Sequence, residues 1–136
     1  MEFKKFTAGL EAYGTGEKAT KPQESNVNFH DPKFERILNS RNPEEREPLI
    51  RVILFLAACH TIIIDEQKGT YNSSSPDELA LVNAAKQFGW VFAGRDGENK
   101  ITIRNTNNGE NYVYELLSIQ EFTSDRKRMS CILRDP

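Results

Sequence analysis

"SPDELALVNAAKQFGWVFAGR", Ser75 to Arg95, carries a helix with both ends marked, followed by a strand. Ser75 stands where an N-cap hydroxyl is wanted. Pro76 takes the first helical position, where its missing N–H costs nothing, and Asp77 and Glu78 set negative charge at the positive end of the helix. Ser75 and Glu78 have capping-box spacing: the Ser75 hydroxyl can accept from the Glu78 N–H while the Glu78 carboxylate reaches back to the Ser75 N–H. Leu81, Ala84, Ala85 and Phe88 recur at i, i+3, i+4 and i+7 and predict the buried stripe. Gly89 predicts a left-handed stop, and Trp90–Arg95 reads as the strand that leaves it. Every residue here has a structural job, and the spacing alone does not separate capping from a ligand role for Asp77 and Glu78.

On the C-terminal side, "KITIRNTNNGENYVYELLSIQEF" predicts a hairpin turning at Asn108-Gly109, and "KRMSCILR" a further strand. On the N-terminal side, "TIIIDEQKGTY" predicts a short hairpin around Gln67-Lys68-Gly69. "LIRVILFLAACHTIII", Leu49 to Ile64, is too short for a bilayer span, which needs ~20 apolar residues, and reads as a core helix running into a strand. That helix starts at Asn42 and Pro43, with Glu44 and Glu45 in its first turn, and ends about Cys59; Pro48 predicts a kink or restart. Asp31-Pro32 opens a shorter helix to about Leu38. Glu2 to Tyr13 alternate weakly, as a strand would, and 14–26 is a polar, Gly- and Pro-containing stretch expected to be a flexible loop. The sum is an α+β fold, an antiparallel β-sheet flanked by helices. One domain over 1–136 is expected, with its core at about 27–136.

The bulk composition excludes several classes. The 136 residues are 38% hydrophobic and 28% charged, with net charge -2. No basic field is present to hold nucleic acid by counterion release, and the first residues lack the apolar run of a signal peptide. Cys59 and Cys131 have no CxxC spacing and read as reduced, buried thiols rather than a disulfide. His30 and His60 are far apart with no ligand cluster, so no metal site is expected.

A second stretch, "EFTSDRKRMSCIL", Glu121 to Leu133, sets Phe122 before a polar turn and then Arg126, Lys127 and Arg128. An aromatic ring beside cations can stack a base and attract phosphates. It can equally be a core ring beside a solvated strand end.

Together the two stretches are similar to a known family. "SSPDELALVNAAKQFGWVFAGR" followed by "YELLSIQEFTSDRKRMSCILR" closely resembles the nucleotide-binding domain of the type IV P-type ATPases, the phospholipid flippases. "EFKKFTAGLEAYG", "VNFHDPKF" and "LAACHTIII" resemble family landmarks in the same order, so the likeness covers nearly the whole chain. The Ser-Pro-Asp-Glu form points to flippases over cation-transporting pumps. A non-catalytic α+β interaction module that kept the fold and lost the ligand is the reading from another class.

The resemblance implies an adenine pocket for ATP. Glu78, beside Asp77, would lie near the adenine edge, and Phe122 would stack on the ring. Lys127 would lie near the base or phosphates, with Ser124, Asp125 and Arg126 on the same loop. It further implies a parent that uses ATP and magnesium to phosphorylate an aspartate outside this chain and move phospholipid, with a phosphorylation domain and a membrane domain as partners. This piece would then be a monomeric cytosolic part of an integral membrane protein. The chain contains no Asp-Lys-Thr-Gly phosphorylation motif, and the family's Lys-Gly-Ala motif would lie beyond Pro136. The piece by itself is therefore expected to be non-catalytic.

Overall fold

The computed structural model describes residues 3–8, 10–15, 27–65, 67, 70–73 and 75–135. The expected loop over 14–26 falls outside them from residue 16 onward, as do residues 68 and 69 of the expected hairpin turn.

Local capping places the helices where the sequence predicts them. Helix α1 (Pro32–Leu38) starts at Asp31, whose Oδ1 accepts from the N–H groups of Lys33 and Phe34 at 2.9 and 3.3 Å. Helix α2 (Pro43–Ala58) starts at Asn42, whose Oδ1 accepts from Glu44 N–H at 3.0 Å. It runs through Pro48 without interruption, against the expected kink or restart. The ring removes a single bond close to the N-terminus, and Leu49, Ile53, Leu56 and Ala57 bury the turns that follow. Helix α3 (Pro76–Gln87) starts at Ser75 and stops before Gly89, which has φ +98°. A side chain there would also run into Asn107.

The stripe of α3 differs from its expected members. Ala84, Ala85 and Phe88 are buried, as are Ala80 and Val82, but Leu81 is 38% exposed. Small alanines are what let α3 pack closely on its neighbours, so the face is centred on them and Leu81 turns out into a cleft.

Expected as one strand, the first residues form a hairpin of β1 (Phe6–Ala8) and β2 (Glu11–Tyr13). A second small pair joins β3 (Ile63–Asp65) to β4 (Thr70–Asn72). The main sheet is fully antiparallel in the order β5 (Trp90–Arg95), β6 (Lys100–Asn105), β7 (Asn111–Gln120), β8 (Ser130–Arg134). The β6–β7 turn lies at Asn108-Gly109, with Gly109 at φ +74° and its N–H donating to Asn105 O at 2.8 Å. Strand β8 starts three residues later than expected, because Lys127 lies at φ +56° and cannot be part of an extended run.

The core joins these parts on one face of the sheet. Phe92, Ile101 and Ile103 point inward and are almost fully buried, and α2 and α3 pack over them. Phe3, Phe6, Tyr13, Phe29, Phe34 and Phe88 form an aromatic cluster, with Phe34 and Phe88 ring centroids 4.6 Å apart. The core thus reaches outside 27–136 to include Phe3 and Tyr13. The β1–β2 hairpin is tied in by Gly14 N–H, which donates to Asp31 Oδ2 at 2.8 Å.

Candidate functional site

The N-terminus of α3, the C-terminal turns of α2 and the loop between β7 and β8 enclose a cleft of about 530 Å³. That is the size of a small-molecule site. Asp77, Glu78 and Leu81 line it from α3, Phe55 and Cys59 from α2, and Glu121, Phe122 and Met129 from the loop. His60 and Thr61 complete the wall between α2 and β3. Phe55 is 59% exposed and Phe122 64%. Two exposed rings lining one cleft make a contiguous apolar patch, the kind of surface that marks a ligand groove.

Glu78 does half of the expected capping. Its N–H donates to Ser75 Oγ at 3.4 Å, but its carboxylate does not return to the Ser75 N–H. That N–H donates instead to Ser73 Oγ at 3.0 Å, a short-range turn contact that displaces the reciprocal bond. The freed carboxylate crosses to the loop before β3. Oε1 accepts from the Thr61 N–H at 3.1 Å, and the Thr61 hydroxyl reaches Oε1 and Oε2 at 3.1 and 2.9 Å. Ser73 Oγ lies 3.1 Å from Oε2. A carboxylate has about four acceptor positions. Thr61 supplies two protons and Ser73 at most one, because its hydroxyl also reaches Ser75 O at 3.2 Å. At least one acceptor position of Glu78 is left for a donor in the cleft.

Of the sequence-predicted site residues, Asp77, Glu78 and Phe122 meet in this cleft, and Ser124, Arg126 and Lys127 do not line it. The latter three lie in the turn between Phe122 and Met129. Arg126 folds back on its own loop, its guanidinium donating to Glu121 O at 3.1 Å and reaching Ser130 Oγ at 3.5 Å. Lys127 is exposed, held in its left-handed conformation by its N–H donating to Thr123 O at 2.7 Å. Among the described residues that line the cleft there are three carboxylates and no lysine or arginine. Such a wall favours a neutral donor-rich ring and repels phosphate.

Phe55, Thr61 and Met129 line the cleft, Ser73 holds the Glu78 carboxylate from behind it, and none of the four was among the expected residues. One signal was available for Phe55. It falls between the buried positions Ile53 and Leu56, off the stripe, so an aromatic there points away from the core.

His60 supports this wall as a neutral ring. Its Nε2–H donates to Ala57 O at 2.8 Å, and its Nδ1 accepts from Ile62 N–H at 3.0 Å. Phe92 packs edge-on at 4.4 Å, and Arg95 donates to the His60 carbonyl at 3.0 Å. Burial pushes the His60 pKa down to about 4; the Ala57 contact and Glu78 oppose this, and Arg95 adds to it. Among the described residues no cluster of three or more His, Cys, Asp or Glu side chains could hold a metal. No helix among them is long and apolar enough to cross a membrane.

Among the described residues, three helices packed on antiparallel sheets make an α+β fold, consistent with part of a P-type ATPase nucleotide-binding domain. No protein-family profile matches the chain. It is similar to the phospholipid-transporting ATPase IC of Homo sapiens, 37% identical over 150 residues, which covers 100% of this chain and 12% of that protein. The phospholipid-transporting ATPase FetA of Mus musculus is 37% identical over 153 residues, 100% of this chain and 13% of that protein. The phospholipid-transporting ATPase 10 of Arabidopsis thaliana is 42% identical over 125 residues, 84% of this chain and 10% of that protein. Over its whole length the chain is similar to one stretch of phospholipid-transporting ATPases, the type IV P-type ATPases, and it spans about an eighth of the length of such relatives.

Proposed function

We propose that the cleft binds the adenine of ATP, as part of the nucleotide-binding domain of a phospholipid-transporting P-type ATPase. The observation that carries this is the convergence of two exposed rings, Phe55 and Phe122, with the spare acceptor of Glu78. The rings offer faces to an aromatic base, and the carboxylate accepts from its amino group. The acidic wall turns the triphosphate outward, toward the turn that carries Arg126, Lys127 and Arg128. In this reading the whole protein passes the γ-phosphate, with magnesium, to an aspartate outside this chain and moves phospholipid. The phosphorylation and membrane domains are its partners, and this domain lies on the cytosolic side. The 1–136 chain is then one nucleotide-holding unit without turnover of its own.

The test is an NMR titration with ATP, AMP and GTP. Binding is expected to be weak, roughly millimolar or about -4 kcal/mol, with shifts centred on Phe55, Glu78 and Phe122. AMP should match ATP, because the base carries the contact. GTP should bind less well, because guanine has a carbonyl where adenine has its amino group. An absence of shifts, or shifts scattered elsewhere, favours the interaction-module reading.

Glu78→Gln separates ligand from cap. The amide keeps one carbonyl for Thr61, and its NH2 can donate to Ser73, so the melting temperature should stay within a few degrees. The spare acceptor is lost, and ATP should weaken by about three- to tenfold, roughly one hydrogen bond. A large drop in melting temperature with ATP binding untouched would make Glu78 structural only.

Purified protein should release no phosphate from ATP above a boiled control. In-line phosphoryl transfer needs a positioned acceptor and a charge-neutralising clamp, and the Asp-Lys-Thr-Gly acceptor motif does not occur in the chain. Steady phosphate release abolished by Phe122→Ala would overturn this.

A further inference from the structure

A second cleft, of about 510 Å³, opens between α2 and β8 on the other side of Phe55 and Met129. Cys59, Met129 and Cys131 all line it. Cys59 is the C-cap of α2, its N–H donating to Phe55 O at 2.9 Å, and Cys131 lies on β8, paired with Ile119. Both are free thiols and both are half-buried, not fully buried as the sequence suggests. The Cys59 Sγ lies 3.6 Å from Met129 Sδ, and the Cys131 side chain opens on the same cleft. Three sulfur-bearing side chains, from the end of α2, the loop after β7 and β8, thus line one solvent-reachable cleft.

We propose that Cys59 and Cys131 form a peroxide-oxidisable dithiol, in which Cys59 is attacked first and Cys131 resolves it to an intramolecular disulfide. The two thiols are not equivalent. Cys59 lines both clefts and Cys131 only the second, so a hydroperoxide reaches Cys59 from two sides. The neighbouring Cys131 thiol lowers the Cys59 pKa, against burial and the Glu78 carboxylate, and Cys59 and burial push Cys131 up; a lowered pKa favours the thiolate that attacks. The thiolate attacks one oxygen of a hydroperoxide, the O–O bond breaks, and the leaving oxygen takes a proton and departs as alcohol, or as water from hydrogen peroxide. Cys59 is then a sulfenic acid. The Cys131 sulfur attacks the Cys59 sulfur, the S–O bond breaks, and the hydroxide leaves as water with the Cys131 proton. Two thiols are oxidised to one disulfide and one hydroperoxide is reduced. Where thiols are kept reduced, such a bond is transient and regulatory. It would tie the end of α2 to β8, beside the wall formed by Phe55 and Met129. The proposal stands on the cleft the two cysteines share and needs no nucleotide.

The experiment treats the full chain with equimolar hydrogen peroxide and reads intact mass. The expected product is a monomer that has lost two hydrogens and regains them with dithiothreitol. Cys131→Ser should stop at the sulfenic acid and take up one dimedone at Cys59, and Cys59→Ser should stay unmodified at the same dose. In the reduced wild type at neutral pH, Cys59 should react with iodoacetamide at least about tenfold faster than Cys131. Oxygen added without a crosslink, a crosslink between two chains, or equal reactivity of both cysteines would overturn the proposal. The wild-type mass decides the matter even where a variant folds poorly.

Discussion

Phe122→Ala is expected to bring ATP binding close to undetectable while the fold stays intact. The ring is 64% exposed and contributes little to the core, so its removal should cost little stability. Stacking of one base on one ring contributes ~1–3 kcal/mol. Set against a total of about -4 kcal/mol for a millimolar ligand, that is up to most of the affinity, a loss of roughly 5- to 150-fold. Lys127→Ala should cost less, since Lys127 does not line the cleft and acts, if at all, on phosphates through solvent. The same titration run on both variants, with urea melts beside it, checks the pair of expectations. If Phe122→Ala melts like the wild type and binds ATP as well, the adenine is not on that ring. A Lys127→Ala loss larger than that of Phe122→Ala would place the binding energy on phosphate instead.

Acidification should destabilise the domain through one residue. His60 is neutral in the fold, 1% exposed, with both ring nitrogens used inside the chain. Its pKa is lowered from 6.5 to about 4, first by burial and then by Arg95. Unfolded chains take up the proton near 6.5, so below that pH protonation favours the unfolded state. The stability that neutral His60 preserves is fully present above about pH 6.5 and is lost as pH falls toward 4. With each pH unit of that gap worth about 1.4 kcal/mol, the whole loss is about 3 kcal/mol. Urea midpoints between pH 5 and 7, where few carboxylates titrate, should fall in the wild type. They should stay nearly level in His60→Gln, which keeps a donor and an acceptor but does not titrate. Equal slopes in the two proteins would show that His60 is not the cause.

Elements with a local cause were legible in the sequence. Asp31, Asn42 and Ser75 cap helices because a side-chain oxygen two or three residues from an orphan N–H satisfies it whatever surrounds it. Asn108-Gly109 turns the β6–β7 hairpin, and Gly89 ends α3, because their backbones need φ above zero. Asp77, Glu78 and Phe122 were found through motifs shared with a family, and the structure brings them together in one cleft. Tertiary structure alone decided the rest. Nothing near Glu78 in sequence says that its carboxylate abandons the Ser75 N–H for Thr61, seventeen residues away. Leu81 and Phe55 face the cleft because α3 approaches its neighbours through alanines and the loop after β7 folds across the end of α2. Lys127 and Arg126 miss the cleft because their turn curls back on Thr123 and Glu121. Cys59 shares a cleft with Cys131 because the C-cap of one helix lands near the edge strand of the sheet. Caps and turns are contests among neighbouring groups on one short segment, whereas a cleft wall is set by where distant segments pack, and that depends on volumes and partners summed over the whole chain.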